Sequence, residues 1–152
     1  MSAYALDART LVQHFGYDRL RWFQPLKSIL AAGGLTGGGS DHMLKIGDQR
    51  AINPYNPFLA MWTTVTRRAK WYEGQLHPEE ALTRRQAIEF YTRNNAHLLF
   101  WEKELGSLEP GKRADFIVID RDLLACPLDE WKDTRVLETW VEGRAVFRRN
   151  VP

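Results

Sequence analysis

The residues best placed to do chemistry are Asp41 and His42, delivered at the end of the run Gly33-Gly34-Leu35-Thr36-Gly37-Gly38-Gly39-Ser40. A carboxylate in that position can bind a divalent cation or take a proton from a nucleophilic water. Adjacent side chains on a strand point to opposite faces, so Asp41 and His42 share one ion only if the strand ends between them. A turn-capping role for Asp41 stays open beside the catalytic one. The glycines suggest a phosphate cradle as well, but no Gly-Lys-Ser or Gly-Lys-Thr follows and no helix signal comes directly after.

The remaining candidates are weaker. His14, His77 and His97 form no His-x-His or His-x-x-x-His pair, so local spacing assembles no zinc set. His77 reads as a solvated residue at a helix start, and His97 as a partly buried helix residue rather than a ligand. No Gly-x-Ser-x-Gly elbow exists, and Cys126, followed by Pro127, has no base nearby in sequence. Cys126 reads as a small buried apolar residue.

The elements that must position Asp41 come next. Residues 4–21 carry a weak helical period broken at Gly16 and Asp18, which predicts a short helix and a loop. Pro25 opens a helix with Leu26, Ile29 and Leu30 on one face and Gly33-Gly34 as its stop. Leu35 to Asp41 is then a strand, and five glycines within residues 33–39 imply that another backbone or a ligand comes close to it. A loop from Met43 to Tyr55 follows, and Asn56-Pro57 starts a helix with Phe58, Met61, Trp62, Val65 and Ala69 at helical spacing, completing a βα unit. His77-Pro78-Glu79-Glu80 signals another helix start. Thr83 and Gln86 form a capping box for a helix that runs to near Phe100.

Beyond the turn cluster Gly106 to Gly111 the period becomes that of strands: Ala114 to Asp120, Val136 to Val141 and Ala145 to Arg148, the last two joined by a tight turn at Glu142-Gly143. Residues Asp129 to Thr134 read as a short turn or helical piece. Such a sheet is open, with edges that need covering. No internal repeat or low-complexity segment is present.

Composition bounds the rest. With 152 residues, 44% hydrophobic and 26% charged, the chain is globular, and its net charge of +2 is scattered rather than blocked, against a nucleic-acid surface. One cysteine excludes an intrachain disulfide and suits a reducing compartment. No run approaches the ~18 apolar residues of a membrane span and no leader pattern opens the sequence, so a soluble, cytoplasmic protein is expected. Aromatic residues reach 12%, with six Trp, enough to suggest that some belong to an interface.

One set of motifs resembles a known family. Gly39-Ser40-Asp41, Asn53-Pro54-Tyr55-Asn56-Pro57-Phe58, Val65-Thr66-Arg67-Arg68, Thr92-x-Asn94-x-Ala96 and Gly106-Ser107-Leu108-Glu109-Pro110-Gly111-Lys112-x-Ala114-Asp115 are similar to the carboxyl-terminal part of an amidohydrolase-superfamily protein, nearest to amidohydrolase family 3. The resemblance covers roughly Leu20 to Arg149. It implies an α/β fold: residues 1–105 as terminal βα units of a (β/α)₈ barrel, and 106–152 as a segment of the small β-sandwich. It implies a metal-dependent hydrolase of non-peptide carbon–nitrogen bonds, amide or N-acyl, acting on a small-molecule substrate. Asp41, ending the eighth barrel strand, would be metal ligand and general base, with zinc the expected ion.

The family's His-x-His pair, its bridging Lys or Glu and its single histidines have no counterparts, and a full barrel takes about 250 residues. The chain is therefore expected to be inactive alone, possessing one ligand and holding no metal firmly, and to pair with a complementary amino-terminal barrel segment or with itself. The alternative is a non-catalytic truncated domain that oligomerises or binds a partner chain.

Overall fold

The computed structural model describes residues 2–40, 55–69 and 72–150. Helix α1 (Ser2–Phe15) is longer than the weak periodicity predicts, and it stops where Gly16 adopts φ +77°. A 3₁₀ turn, Asp18–Trp22, carries Leu20 inward to pack with Ala8 and Leu76. Helix α2 (Leu26–Ala31) starts after Pro25 and stops before Gly33, whose φ of +78° is the left-handed stop expected there.

Helix α3 (Pro57–Thr66) shows why Asn-Pro is a start signal. The Asn56 side chain accepts from Phe58 N at 2.9 Å and from Leu59 N at 3.3 Å, while Pro57 occupies a first-turn position where its missing N–H costs nothing. Helix α4 (Arg84–Tyr91) carries the expected capping box: Thr83 accepts from Gln86 N at 3.2 Å and Gln86 accepts from Thr83 N at 2.9 Å. Where one helix was expected to run to Phe100, the chain breaks at Thr92 and continues as α5 (Arg93–Leu98). The expected helix after His77-Pro78 is a single 3₁₀ turn, Pro78–Glu80. It ends because Ala81 turns extended and Leu82 N bonds Thr64 O on α3 at 3.1 Å.

The sheet is an antiparallel ladder in the order β1 (Phe116–Ile119), β2 (Val136–Val141), β3 (Arg144–Arg148). Glu142 and Gly143 both take positive φ, +49° and +74°, the primed turn that matches strand twist. Its outer strand β3 is exposed along its whole length, as an open sheet predicts. The core gathers Leu26, Phe58, Met61, Leu82, Ala87, Phe90, Leu123 and Trp131. Trp131 is fully buried and its indole N–H donates to Leu123 O at 3.0 Å. Arg84 secures the same loop, with Nη1 donating to Leu123 O and Cys126 O at 2.7 and 2.8 Å. Cys126 is half-buried against this core.

Two stability effects follow from local geometry. Phe100, just beyond α5, holds φ +61° with 90% of its surface exposed, so its ring contributes little burial while its Cβ resists the left-handed backbone. Phe100→Gly is expected to raise stability by about 0.5–1 kcal/mol, the relief being partly offset by glycine's freer unfolded state, and a urea melt reads it.

At the end of β1, Asp120 accepts from Arg121 Nε and Nη2 and from Arg135 N, all at 3.0 Å. The Arg121 hydrogen bonds, with those from the backbone, outweigh desolvation and hold its carboxyl down, from 3.8 to about 2. A folded pKa below the unfolded one gives stability that is full above about pH 4 and is lost as pH falls through 2. With solvent screening, that contribution is on the order of 1 kcal/mol, and Asp120→Asn should flatten the stability profile between pH 4 and 2.

Candidate functional site

Asp41 and His42 lie outside the described residues, as does most of the Met43 to Tyr55 loop; the backbone leading to them is described as far as Ser40. Residues 34–40 adopt no regular secondary structure, and among the described residues they form no ladder with a strand, where a strand from Leu35 was expected. Helix ends hold them instead. Gly38 N donates to Phe90 O at 2.9 Å, Asn94 Nδ2 to Thr36 O at 2.9 Å, and Asn95 Nδ2 to Gly38 O at 2.8 Å. Burial pushes the Tyr91 phenol up to about 12, and this neutral hydroxyl points to Gly39 O at 3.4 Å.

The glycines permit this closeness. A Cβ at Gly38 would sit 2.5 Å from both the Phe90 and Tyr91 rings, and one at Gly37 would strike Asn95 Oδ1 and come within 2.6 Å of Leu98. Gly39 faces open space and lines a 310 Å³ cavity with Gln24, Leu26, Thr36, Phe90 and Leu98. The close approach, expected from another backbone or a ligand, is made instead by side chains of α4 and α5 at Gly37 and Gly38 and by Ile29 of α2 at Gly34.

A second polar cluster was missed by sequence reasoning. Arg67, fully buried at the end of α3 with φ +55°, donates from Nε to Leu76 O at 2.9 Å and from Nη1 to Gln24 O at 3.3 Å. Glu80, 2% exposed, accepts from Ser28 N at 2.9 Å and from the Ser28 hydroxyl. Desolvation pushes the Glu80 carboxyl up, but the Ser28 hydrogen bonds and the charges of Arg67 and Arg21 outweigh it, so its pKa falls below the usual carboxylate range.

His77 belongs to the same region and is not the solvated residue expected. It is 6% exposed at φ +52°, stacked on Tyr17 at 4.3 Å, with Nδ1 2.8 Å from Glu79 Oε1 and Nε2 2.7 Å from Tyr17 O. Both ring nitrogens are engaged, so neither is free to bind a metal. His97, expected to be partly buried, is exposed on α5, and His14 is exposed in the last turn of α1. The signals for this cluster were present but faint: Pro78 after His77, and the consecutive Thr66-Arg67-Arg68 where an amphipathic helix ends.

A family model described as amidohydrolase family matches residues 1–147. The chain belongs to the amidohydrolase family. The N-substituted formamide deformylase of Arthrobacter pascens is 37% identical to it over 132 residues, 87% of this chain and 22% of that protein. The amidohydrolase-named YtcJ of Bacillus subtilis (strain 168) is 26% identical over 148 residues, 96% of this chain and 26% of that one. This amidohydrolase-family chain thus spans about a quarter of the length of these curated relatives. A solved amidohydrolase of Thermotoga maritima MSB8 is 18% identical with a TM-score of 0.44, covering 93% of this chain and 40% of that one, a likeness too slight to carry an argument.

The family is generally metal-dependent, so the donor set matters. Among the described residues of this amidohydrolase-family chain, no three His, Cys, Asp or Glu side chains converge as a metal site. The described residues do not by themselves fit a metal.

Proposed function

We propose that this chain supplies one part of a hydrolytic site for non-peptide carbon–nitrogen bonds of the amide or N-acyl type, and that Asp41 is its contribution. The observation that carries this reading is the family match over residues 1–147, which includes Gly-Ser-Asp at the end of the anchored segment 34–40. Asp41 would be a ligand of a divalent ion, zinc the expected one, and its carboxylate would take the proton of the attacking water. Imidazole donors would come from a complementary barrel segment, because a lone carboxylate holds such an ion weakly. Residues 1–105 would then be terminal barrel units and 106–152 a sandwich segment, in a cytoplasmic protein. Among the described residues no helix is long and apolar enough to cross a membrane.

The related deformylase is named for N-substituted formamides, which makes these the first substrates to try. The test co-expresses the whole 152-residue chain with that deformylase shortened to lack its matching segment. Hydrolysis by the pair, and by neither part alone, is the expected result. Efficient turnover by the chain alone, or none by the pair, would overturn it.

A second reading is a non-catalytic domain that self-associates or binds a partner chain. It is favoured by the large apolar side chains left in water, Phe100, Leu108, Trp22 and Leu99 among them, and by the open strand β3. Light scattering decides its first step, since a strictly monomeric chain would count against self-association.

A further inference from the structure

We infer that Asn94 and Asn95 are positioning residues, whose side-chain amides replace a neighbouring strand along the segment that hands the chain on to Asp41; the inference rests on the reading of Asp41 proposed above. In an extended backbone the carbonyls of alternate residues face the same side, and in a sheet the N–H groups of the next strand take them. Here the alternate carbonyls of Thr36 and Gly38 are taken by Asn94 Nδ2 at 2.9 Å and Asn95 Nδ2 at 2.8 Å. The N–H between them along the chain, that of Gly38, finds a carbonyl made available by the break at Thr92. Phe90 belongs to the last turn of α4, whose carbonyls lack helical partners, and its oxygen accepts from Gly38 N at 2.9 Å.

Two features tie the amides to this task rather than to the helix itself. Consecutive asparagines are poor helix formers, since they compete for backbone hydrogen bonds, and the one nearby helix carbonyl that Asn95 Nδ2 reaches, Tyr91 O, lies at 3.5 Å against 2.8 Å for Gly38 O. Meanwhile the segment meets them only because residues 37 and 38 lack a Cβ: one at Gly37 would strike Asn95 Oδ1, and one at Gly38 would press on Phe90 and Tyr91. Glycine and asparagine are therefore matched across the contact. The pair fixes the backbone on both sides of Gly37, three residues before Ser40.

The diagnostic variant is Asn95→Asp, which keeps shape but removes the donor and sets an acceptor against the Gly38 carbonyl. Gly38→Ala is unsuitable because its clash could unfold the region. Amide hydrogen exchange on the whole chain should show Gly38 exchanging at least tenfold faster in Asn95→Asp, with core amides of Met61 and Ala87 unchanged. An unchanged Gly38 rate, or acceleration spread evenly through the core, overturns the positioning role. In the co-expressed pair, Asn95→Asp should lower kcat about tenfold at unchanged KM, whereas unchanged kcat overturns it. If Asp41→Asn leaves turnover intact, the reading of Asp41 itself fails and takes the positioning role with it. A Gly38 rate insensitive to Asn95→Asp sinks the positioning role alone.

Discussion

Arg67→Met is expected to lower folding stability by about 3 kcal/mol, read as a reduced urea midpoint with an unchanged slope. The guanidinium is fully buried and donates to the carbonyls of Leu76 and Gln24, and its charge helps hold Glu80 ionised nearby. Methionine matches the apolar stem but removes donors and charge together, leaving two carbonyls short of a partner and a buried carboxylate less compensated. Since a domain has only about 5–15 kcal/mol in total, the loss is a large share. Arg67→Lys keeps the charge without the fork that reaches two carbonyls and should fall between wild type and Arg67→Met. Adding Glu80→Gln to Arg67→Met should recover part of the loss, because the uncompensated charge is removed. A cost below about 1 kcal/mol for Arg67→Met, as for an exposed ion pair, would show that the cluster stabilises nothing.

Asp41→Asn is expected to reduce hydrolysis by the co-expressed pair between 10²- and 10⁴-fold, the span typical of a lost general base, while leaving stability unchanged. This substitution separates the two roles that the residue type allows. Asparagine caps a turn as well as aspartate does, so a purely capping residue would tolerate the change. It carries no charge and cannot take a proton, so a ligand and base would not. Asp41→Ala, which loses both roles, should match Asp41→Asn in turnover. Turnover within threefold of wild type for Asp41→Asn would end the catalytic assignment, and initial rates on an N-substituted formamide measure it.

Where signals were local, residues could be read directly. Asn56-Pro57, the Thr83 and Gln86 capping box, the Gly33 stop and the primed turn at Glu142-Gly143 each depend on groups within about one helical turn or hairpin of one another. The family, too, was legible in its motifs, and the match over residues 1–147 bears it out. Distance along the chain defeated other readings. His77 looked solvated because it stands at a helix-start signal, but its ring is covered by Tyr17, 60 positions away. Glu80 looked like a charge favouring a helix start, but its partner is Ser28, 52 positions away. Asn94 was read as part of a motif and residues 94 and 95 lay within an expected helix, while the Asn94 and Asn95 amides bond carbonyls more than 50 positions upstream.

The sequence by itself determined where α2, α3 and α4 begin, where the hairpin turns, which family the chain resembles and that the glycine run must admit a close neighbour. Backbone conformation at caps and turns is set by adjacent side chains, and a missing Cβ is visible in the sequence. Only the tertiary structure decided which neighbour comes close and which polar groups are buried. Those outcomes depend on pairing donors with acceptors across the fold, and a residue's type states what it can bond but not what it meets.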